Sequence, residues 1–235
     1  MTAVETRDRG VLENPMWVTL RGAHARFADV HGRAARYHPD VAPLHAVADP
    51  ADPQAWADLA ALAGPGAEVA LAGAGVVPLA GWELAAKVDG VQLVDIALRS
   101  APDPEAVRLT AADVPEMLDL VRRTEPGPFR PRTVELGTYL GLRRDGALIA
   151  MAGERMHPPG WTEISAVCTD PAFRRQGLAT RLVRAVAAGI RARGETPFLH
   201  TGAGNTTAIR LYESIGFTVH RHLTFGRYRA PARPN

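Results

Sequence analysis

The sequence predicts an α/β (α+β) fold whose central sheet is mixed, mostly antiparallel and flanked by helices. Three apolar strand patterns follow one another between residues 139 and 169, and an Asp145-Gly146 pair marks a hairpin between the first two. Between residues 178 and 228 the apolar period then changes between 3.6 and two residues, which indicates a helix, a strand, a second helix and a final strand.

Composition and charge indicate an ordinary globular chain. Of its 235 residues, 46% are hydrophobic and 22% are charged, and the formal net charge is +2. Cys168 is the only cysteine, which excludes an internal disulfide and favours a reducing compartment. Residues 1–10 lack the apolar core of a signal peptide, and no run approaches the ~20 apolar residues of a membrane span. We therefore expect a cytoplasmic protein with no membrane partner and, because its charges are interspersed, no nucleic-acid partner.

A Pro-rich linker at residues 100–105 divides the chain into two regions. Residues 1–104 form an accessory region with a helix expected at 54–63 and strands at 68–71 and 90–98. This region carries no assignable chemistry, and a degenerate copy of an α/β unit is one interpretation of it. Residues 105–235 form the second and more densely patterned domain.

In the second domain the elements are predicted in chain order. A short strand at 107–109 precedes a helix at 113–123, with Pro115 in its first turn, and a second short helix is expected near residue 132. Strands follow at 139–143, 147–155 and 161–169. The helix at 178–193 has a continuous apolar stripe, and after a strand at 198–201 the helix at 205–215 ends at Gly216, before a last strand from residue 217.

The segment 167–179 is the most informative motif. It reads as a buried strand, a Pro-marked turn and an Arg/Gly segment that opens onto a helix. Free N–H groups at a helix start, together with glycine and arginine, are suited to phosphate oxygens. The spacing of Arg174, Gly177 and Ala179 resembles the coenzyme-A pyrophosphate loop of the GNAT acyltransferase superfamily, in its FR47-like branch. The resemblance covers about residues 107–228.

This resemblance implies an acetyl-CoA co-substrate and a set of residues that contact it. Residues 175–180 would supply N–H groups to the pyrophosphate, and the backbone of Val167 and Thr169 would pair with the pantetheine amides as an added strand does. The N–H group of Val167 would also stabilise the developing oxyanion. The complete set is Val167, Cys168, Thr169, Arg174, Arg175, Gln176, Gly177, Leu178, Ala179, Thr180, Asn205 and Tyr212.

Asn205 and Tyr212 lie on one face of the later helix, seven residues apart. By the same resemblance, Asn205 would bond the pantetheine and Tyr212 would give its phenolic proton to the departing thiolate. A helix cap and a buried aromatic residue are the alternatives for these two positions.

Glu154 and Glu163 are the candidates for the general base. They stand at the ends of neighbouring strands among apolar residues, where burial would raise the pKa of a carboxyl group. A solvated strand-end position is the alternative for each of them.

No metal site is expected, because His220 and His222 have no companion ligand at a suitable spacing, and mid-strand Cys168 is expected to be a core residue. The resemblance implies an N-acetyltransferase that acts on a small-molecule or peptide amine. A non-catalytic acyl-CoA-binding module is the alternative, and a homodimer is left open.

Overall fold

The computed structural model describes residues 8–73, 76–79 and 81–232. Its helices are α1 (Pro15–Arg21), α2 (Pro53–Ala63), α3 (Val114–Thr124), α4 (Leu178–Ala192) and α5 (Thr206–Ser214). Its strands are β1 (Ala28–His31), β2 (Ala34–Tyr37), β3 (His45–Val47), β4 (Glu68–Gly73), β5 (Glu83–Asp95), β6 (Val107–Leu109), β7 (Tyr139–Arg144), β8 (Ala147–Glu154), β9 (Trp161–Thr169), β10 (Thr196–Gly202) and β11 (Phe217–Arg229).

An eight-stranded sheet forms the centre of the molecule, in the order β4-β11-β5-β10-β9-β8-β7-β6. Its neighbouring strands are antiparallel except for β9 and β10, which run parallel. The predicted mixed, mostly antiparallel sheet with flanking helices is therefore confirmed.

Helices cover both faces of this sheet because their apolar stripes match it. The stripe of α4 is fully buried at Leu182, Val183 and Ile190, and it packs on Ile164 of β9 and Leu199 of β10. The opposite face is covered by α3 at the β7–β8 end and by N-terminal residues over the start of β9 and β10.

The N-terminal region contributes to the central sheet as well as covering it. Its β1–β3 form a separate three-stranded sheet that the sequence analysis did not predict. Its other two strands join the central sheet, β4 at one edge and β5 between β10 and β11. The expected boundary after residue 104 therefore does not separate two sheets.

Two local expectations also differ from the structure. Strand β5 starts at Glu83 and not near residue 90. Its first half is exposed and is paired only with β11, so the sequence of that half carries no burial pattern that would predict a strand. The short helix expected near residue 132 is a single 3₁₀ turn, Thr133–Leu136. Among the described residues, no helix combines the length and the apolar character needed to span a bilayer.

Candidate active site

The parallel strands β9 and β10 separate part-way along their length. They pair from Thr196 opposite Trp161 to Leu199 opposite Ile164, and no further pairs join them. Beyond Ile164, β9 continues to Thr169 and is paired only with β8. The remainder of β9 therefore presents backbone groups along one free edge, which is a template for an extended partner.

The free edge of β9 is irregular and contains a buried polar atom without a partner. Ala166 has φ +52, a left-handed conformation that interrupts the regular strand, and the register with β8 shifts at the same level. The side chain of Val167 packs toward α4 and α5. The hydroxyl of Thr169 is buried without a hydrogen bond. A buried hydroxyl normally has a partner, so this edge fits a ligand that brings polar groups.

The loop after β9 leads directly into α4 and leaves its first N–H groups free. Gly177 precedes the helix with φ +75, Arg175 has φ +64, and no side chain caps the helix. A Cβ on Gly177 would meet open space within 4 Å, so the loop is also unobstructed there. The first turn of a helix has unpaired N–H groups and a partial positive charge, and this loop thus has the groups an anion requires.

Some arginines beside the loop are paired with carboxylates and others are not; among the latter, Nε of Arg174 donates to the carbonyl oxygen of Thr169 at 3.4 Å. Arg123 is paired with Asp170, and Arg181 with Asp103 and Glu105. Arg174 and Arg175 are exposed, and neither has a carboxylate partner among the described residues. The positive charge of these two side chains is therefore available to a phosphate group.

Helix α5 places the two predicted residues Asn205 and Tyr212 in different environments. Asn205 caps the helix, because its Oδ1 accepts from the N–H of Ala208 at 3.1 Å. Its amide N–H₂ group is not used in this cap. Tyr212 is buried beside Phe217, with ring centroids 6.1 Å apart, and burial raises the pKa of its phenol to about 12. The phenol is therefore fully protonated at neutral pH, as a proton donor must be.

Glu163 does not have the raised pKa expected of it. It is completely buried, and burial alone would favour the neutral acid. The guanidinium of Arg155 binds both of its oxygens, at 2.6 and 2.7 Å, and His200 donates to Oε1 at 2.7 Å. These contacts outweigh the burial and lower the pKa of Glu163 to about 2. The expectation of a raised pKa was wrong because it did not include the guanidinium of Arg155, which lies on the other side of the turn between β8 and β9.

Glu154, the second candidate, is also buried, at the end of β8. Its Oε1 accepts from Arg193 at 3.0 Å and its Oε2 from the N–H of Thr138 at 3.2 Å. Gly137 packs against this carboxylate, where an added Cβ would come within 2.8 Å of Oε2. The solvated alternative is therefore wrong for both glutamates.

His200 is a polar residue of this site that is absent from the sequence-predicted candidates, as are Arg155 and Gln92. It lies on β10 directly after the last β9–β10 pair and contacts Glu163 and Gln92. Its signal was available, since it follows Phe198 at strand spacing on a predicted strand. Only the pairing of β10 with β9 and β5 shows which polar residues it meets.

Cys168 is a core residue, as expected. Burial raises the pKa of its thiol to about 11, so it carries no appreciable thiolate at neutral pH. Among the described residues, no group of three or more His, Cys, Asp or Glu side chains is placed to hold a metal ion.

Comparison with known proteins agrees with this architecture. The family model described as FR47-like protein matches residues 139–225, which include β9, the loop and α5. A crystal structure from Novosphingobium aromaticivorans, described as an acetyltransferase from the GNAT family, is 42% identical in sequence. It superimposes with a TM-score of 0.85 over 92% of this chain and 97% of its own. The chain belongs to the GNAT family.

Other GNAT relatives are more distant or match in part. A GCN5-related N-acetyltransferase from Kribbella flavida shares the fold at 20% identity, with a TM-score of 0.60 over 92% of this chain and 96% of its own. The N-alpha-acetyltransferase RimI of Mycobacterium tuberculosis is 35% identical over 34% of this chain and 51% of its own length. A mycothiol acetyltransferase of Thermobispora bispora is 36% identical over 46% of this chain and 39% of its own. The chain thus spans about half or less of these curated relatives.

These findings confirm the predicted GNAT family, and the match to the FR47-like model over residues 139–225 agrees with the predicted branch. None of them tests the individual site residues, which stay predictions.

Proposed function

We propose that this protein transfers an acetyl group from acetyl-CoA to an amine, directly and without a covalent enzyme intermediate. The single observation that carries the proposal is the separation of β9 and β10 beside an uncapped, glycine-preceded helix. An edge for amide groups and an N–H cluster for phosphates lie in succession along one stretch of chain. In acetyl-CoA the amide-containing arm likewise adjoins the pyrophosphate, and the thioester lies at the far end of that arm.

The residues proposed to bind the donor follow from this arrangement. The N–H groups of residues 175–180 and the side chains of Arg174 and Arg175 would hold the pyrophosphate. The free edge of β9 at Val167 and Thr169 would pair with the pantetheine amides, and Asn205 would donate its unused amide N–H₂. The unpartnered hydroxyl of Thr169 supports a polar ligand at this edge.

Direct transfer requires one group that removes a proton from the amine and another that protonates the departing sulfur. Tyr212 is proposed for the second role, because its phenol is protonated at neutral pH. Glu154 is the glutamate that remains as a candidate for the first. Glu163 is less suited to it, because a carboxylate with a pKa of about 2 is a weak base.

The acceptor is proposed only as a class, a small-molecule or peptide amine. The relatives include both an N-alpha-acetyltransferase and mycothiol acetyltransferases. A panel of acceptors must therefore contain peptides with free α-amino groups and small amines.

Two measurements on the purified protein test the proposal. Calorimetric titration with acetyl-CoA should show micromolar binding, and thiol release with the amine panel should show turnover, with the acetylated product identified by mass spectrometry. Binding without turnover of any amine would favour the acyl-CoA-binding module. Absence of binding by the folded protein would refute the donor site.

A further inference from the structure

The side chain of His200 lies on the opposite face of the sheet from the phosphate-binding helix. Side chains alternate along a strand, and Leu199 packs on α4, so Phe198 and His200 project to the other side. His200 is also the first residue of β10 beyond its last pair with β9. A ligand anchored at α4 and threaded between the two strands would therefore emerge beside this imidazole.

The hydrogen-bond partners of His200 determine which tautomer its imidazole adopts. Its Nδ1 is 2.7 Å from Oε1 of Glu163, an ionised carboxylate that can only accept. Nδ1 therefore carries the hydrogen. Arg155 holds both oxygens of Glu163, so the carboxylate cannot turn away from the ring.

The other ring nitrogen has a lone pair, as the contact with Gln92 shows. The amide nitrogen of Gln92 is 3.1 Å from Nε2 of His200 and 3.1 Å from the carbonyl oxygen of Leu12. Because that carbonyl can only accept, this end of Gln92 must be the N–H₂ donor, and Nε2 must accept from it. The Oε1 atom of Gln92 is buried without a partner, so this amide is only partly satisfied.

A fixed carboxylate faces the imidazole of His200, and the guanidinium groups near it are paired with carboxylates. Glu163 is the carboxylate in contact with it, and the charge of Arg155 is already matched by Glu163. On β11, the guanidinium of Arg221 pairs with Glu13, and the rings of Phe198 and Phe225 also lie against the imidazole. A carboxylate fixed on Nδ1 stabilises the imidazolium that forms when Nε2 takes a proton.

We infer that His200 is the general base of the transfer, held by Glu163 and Arg155, with Nε2 receiving the proton of the acceptor amine in place of the hydrogen bond from Gln92. The inference rests on the proposed function and names its proton acceptor. Glu163 is then a positioning residue, and Glu154 is not required as a base.

The step balances in protons and electrons. One N–H bond of the substrate ammonium breaks and its proton bonds to Nε2. The amine lone pair forms the C–N bond to the thioester carbonyl, and the C–S bond breaks with its electron pair on sulfur. A second amine proton ends on sulfur, through the Tyr212 hydroxyl, and the imidazolium returns its proton to solvent. The products are the amide, CoA thiol and one proton.

The first test needs no acceptor. In ¹⁵N-histidine NMR spectra of the full chain at pH 7, with and without acetyl-CoA, the signals lost in His200→Gln should show a protonated Nδ1 and an unprotonated Nε2. A doubly protonated ring, or a proton on Nε2 alone, would overturn the inference whatever the acceptor is.

The second test compares His200→Gln with His222→Gln, an exposed histidine of β11 outside the site. In the first variant the new amide side chain is neutral and polar but cannot take a proton at neutral pH. With the best acceptor of the panel, we expect His200→Gln to bind acetyl-CoA like wild type and to lose about 100-fold in kcat/KM, within the usual range for a general base. It should also lose the acidic limb of the pH profile, while His222→Gln keeps both.

The outcomes separate the two proposals. Wild type that binds no acetyl-CoA, or acetylates no amine, contradicts the proposed function. Wild type that is active while His200→Gln retains at least a third of its rate and the acidic limb contradicts the role of His200 alone.

Discussion

Replacement of Glu163 by Gln tests the charge arrangement beneath the site. Glu163 and Arg155 form a buried ion pair, with side chains 1% and 15% exposed. The pKa of Glu163 is lowered from 4.5 to about 2, which corresponds to about 3 kcal/mol of stabilisation at neutral pH. Removing one partner of a buried pair leaves an uncompensated charge and costs a similar ~3–5 kcal/mol.

The assay is thermal unfolding followed by circular dichroism between pH 3 and 7. For a chain of this size, 1 kcal/mol shifts the midpoint by about 2–4 °C, so we expect Glu163→Gln to unfold roughly 6–12 °C below wild type at pH 7. Because the folded-state pKa is below the unfolded one, the stabilisation is complete above about pH 4.5 and is lost as the pH falls toward 2. The difference in unfolding midpoint between Glu163→Gln and wild type should therefore be smaller at pH 3 than at pH 7.

Two further variants control this prediction. Glu135→Gln removes an exposed partner of Arg132 and should leave the midpoint close to wild type. The double variant Arg155→Met, Glu163→Leu replaces the pair by apolar side chains and should recover most of the loss. A Glu163→Gln midpoint within ~2 °C of wild type at pH 7, or a gap that stays constant down to pH 3, would refute the reasoning.

Three other predictions concern the site. Gly177→Glu places a carboxylate at the start of α4 and should weaken acetyl-CoA binding at least tenfold by calorimetry, about 1.4 kcal/mol, whereas Gly146→Glu, at a remote turn with φ +82, should bind normally. Equal affinities would remove the loop from the donor site. Tyr212→Phe keeps the buried ring, so acetyl-CoA affinity should hold while kcat falls about 10–100-fold; an unchanged kcat would exclude the phenol as proton donor. Cys168→Ser should retain kcat within about threefold, and wild type should resist iodoacetamide at pH 7, since the thiol has a pKa of about 11; rapid alkylation with inactivation would contradict this.

Local sequence patterns were sufficient to predict α4, the loop before it and the β7–β8 hairpin. The stripe of α4, the turn at Gly146 and the Arg/Gly loop are each encoded by residues within one or two turns of one another. Their burial and pairing follow the prediction closely. The alternative interpretation of Asn205 as a helix cap is also confirmed.

The parts that failed depend on contacts between distant segments. The hydrophobic pattern of residues 83–95 does not indicate that this strand pairs with β10 and β11, which lie more than a hundred residues later in the chain. The ionised state of Glu163 could have been predicted from nearby sequence, because Arg155 pairs with it across a short turn. A hairpin alignment of β8 with β9 would have placed these opposite charges together. The polar partners of His200 could be identified only after both strands beside it were known.

The insertion of β5 between β10 and β11 has a consequence for how the chain folds. Strands β10 and β11 do not pair with each other, because β5 lies between them. Strand β5 is synthesised before both of them, so it can pair only after each has been made. Pairings of such long sequence separation slow folding, since the intervening chain must be closed before they contribute. We therefore expect a fragment of residues 105–235 to be unstable although it contains every residue proposed to contact acetyl-CoA. Such a fragment should regain structure when residues 1–104 are added as a separate chain.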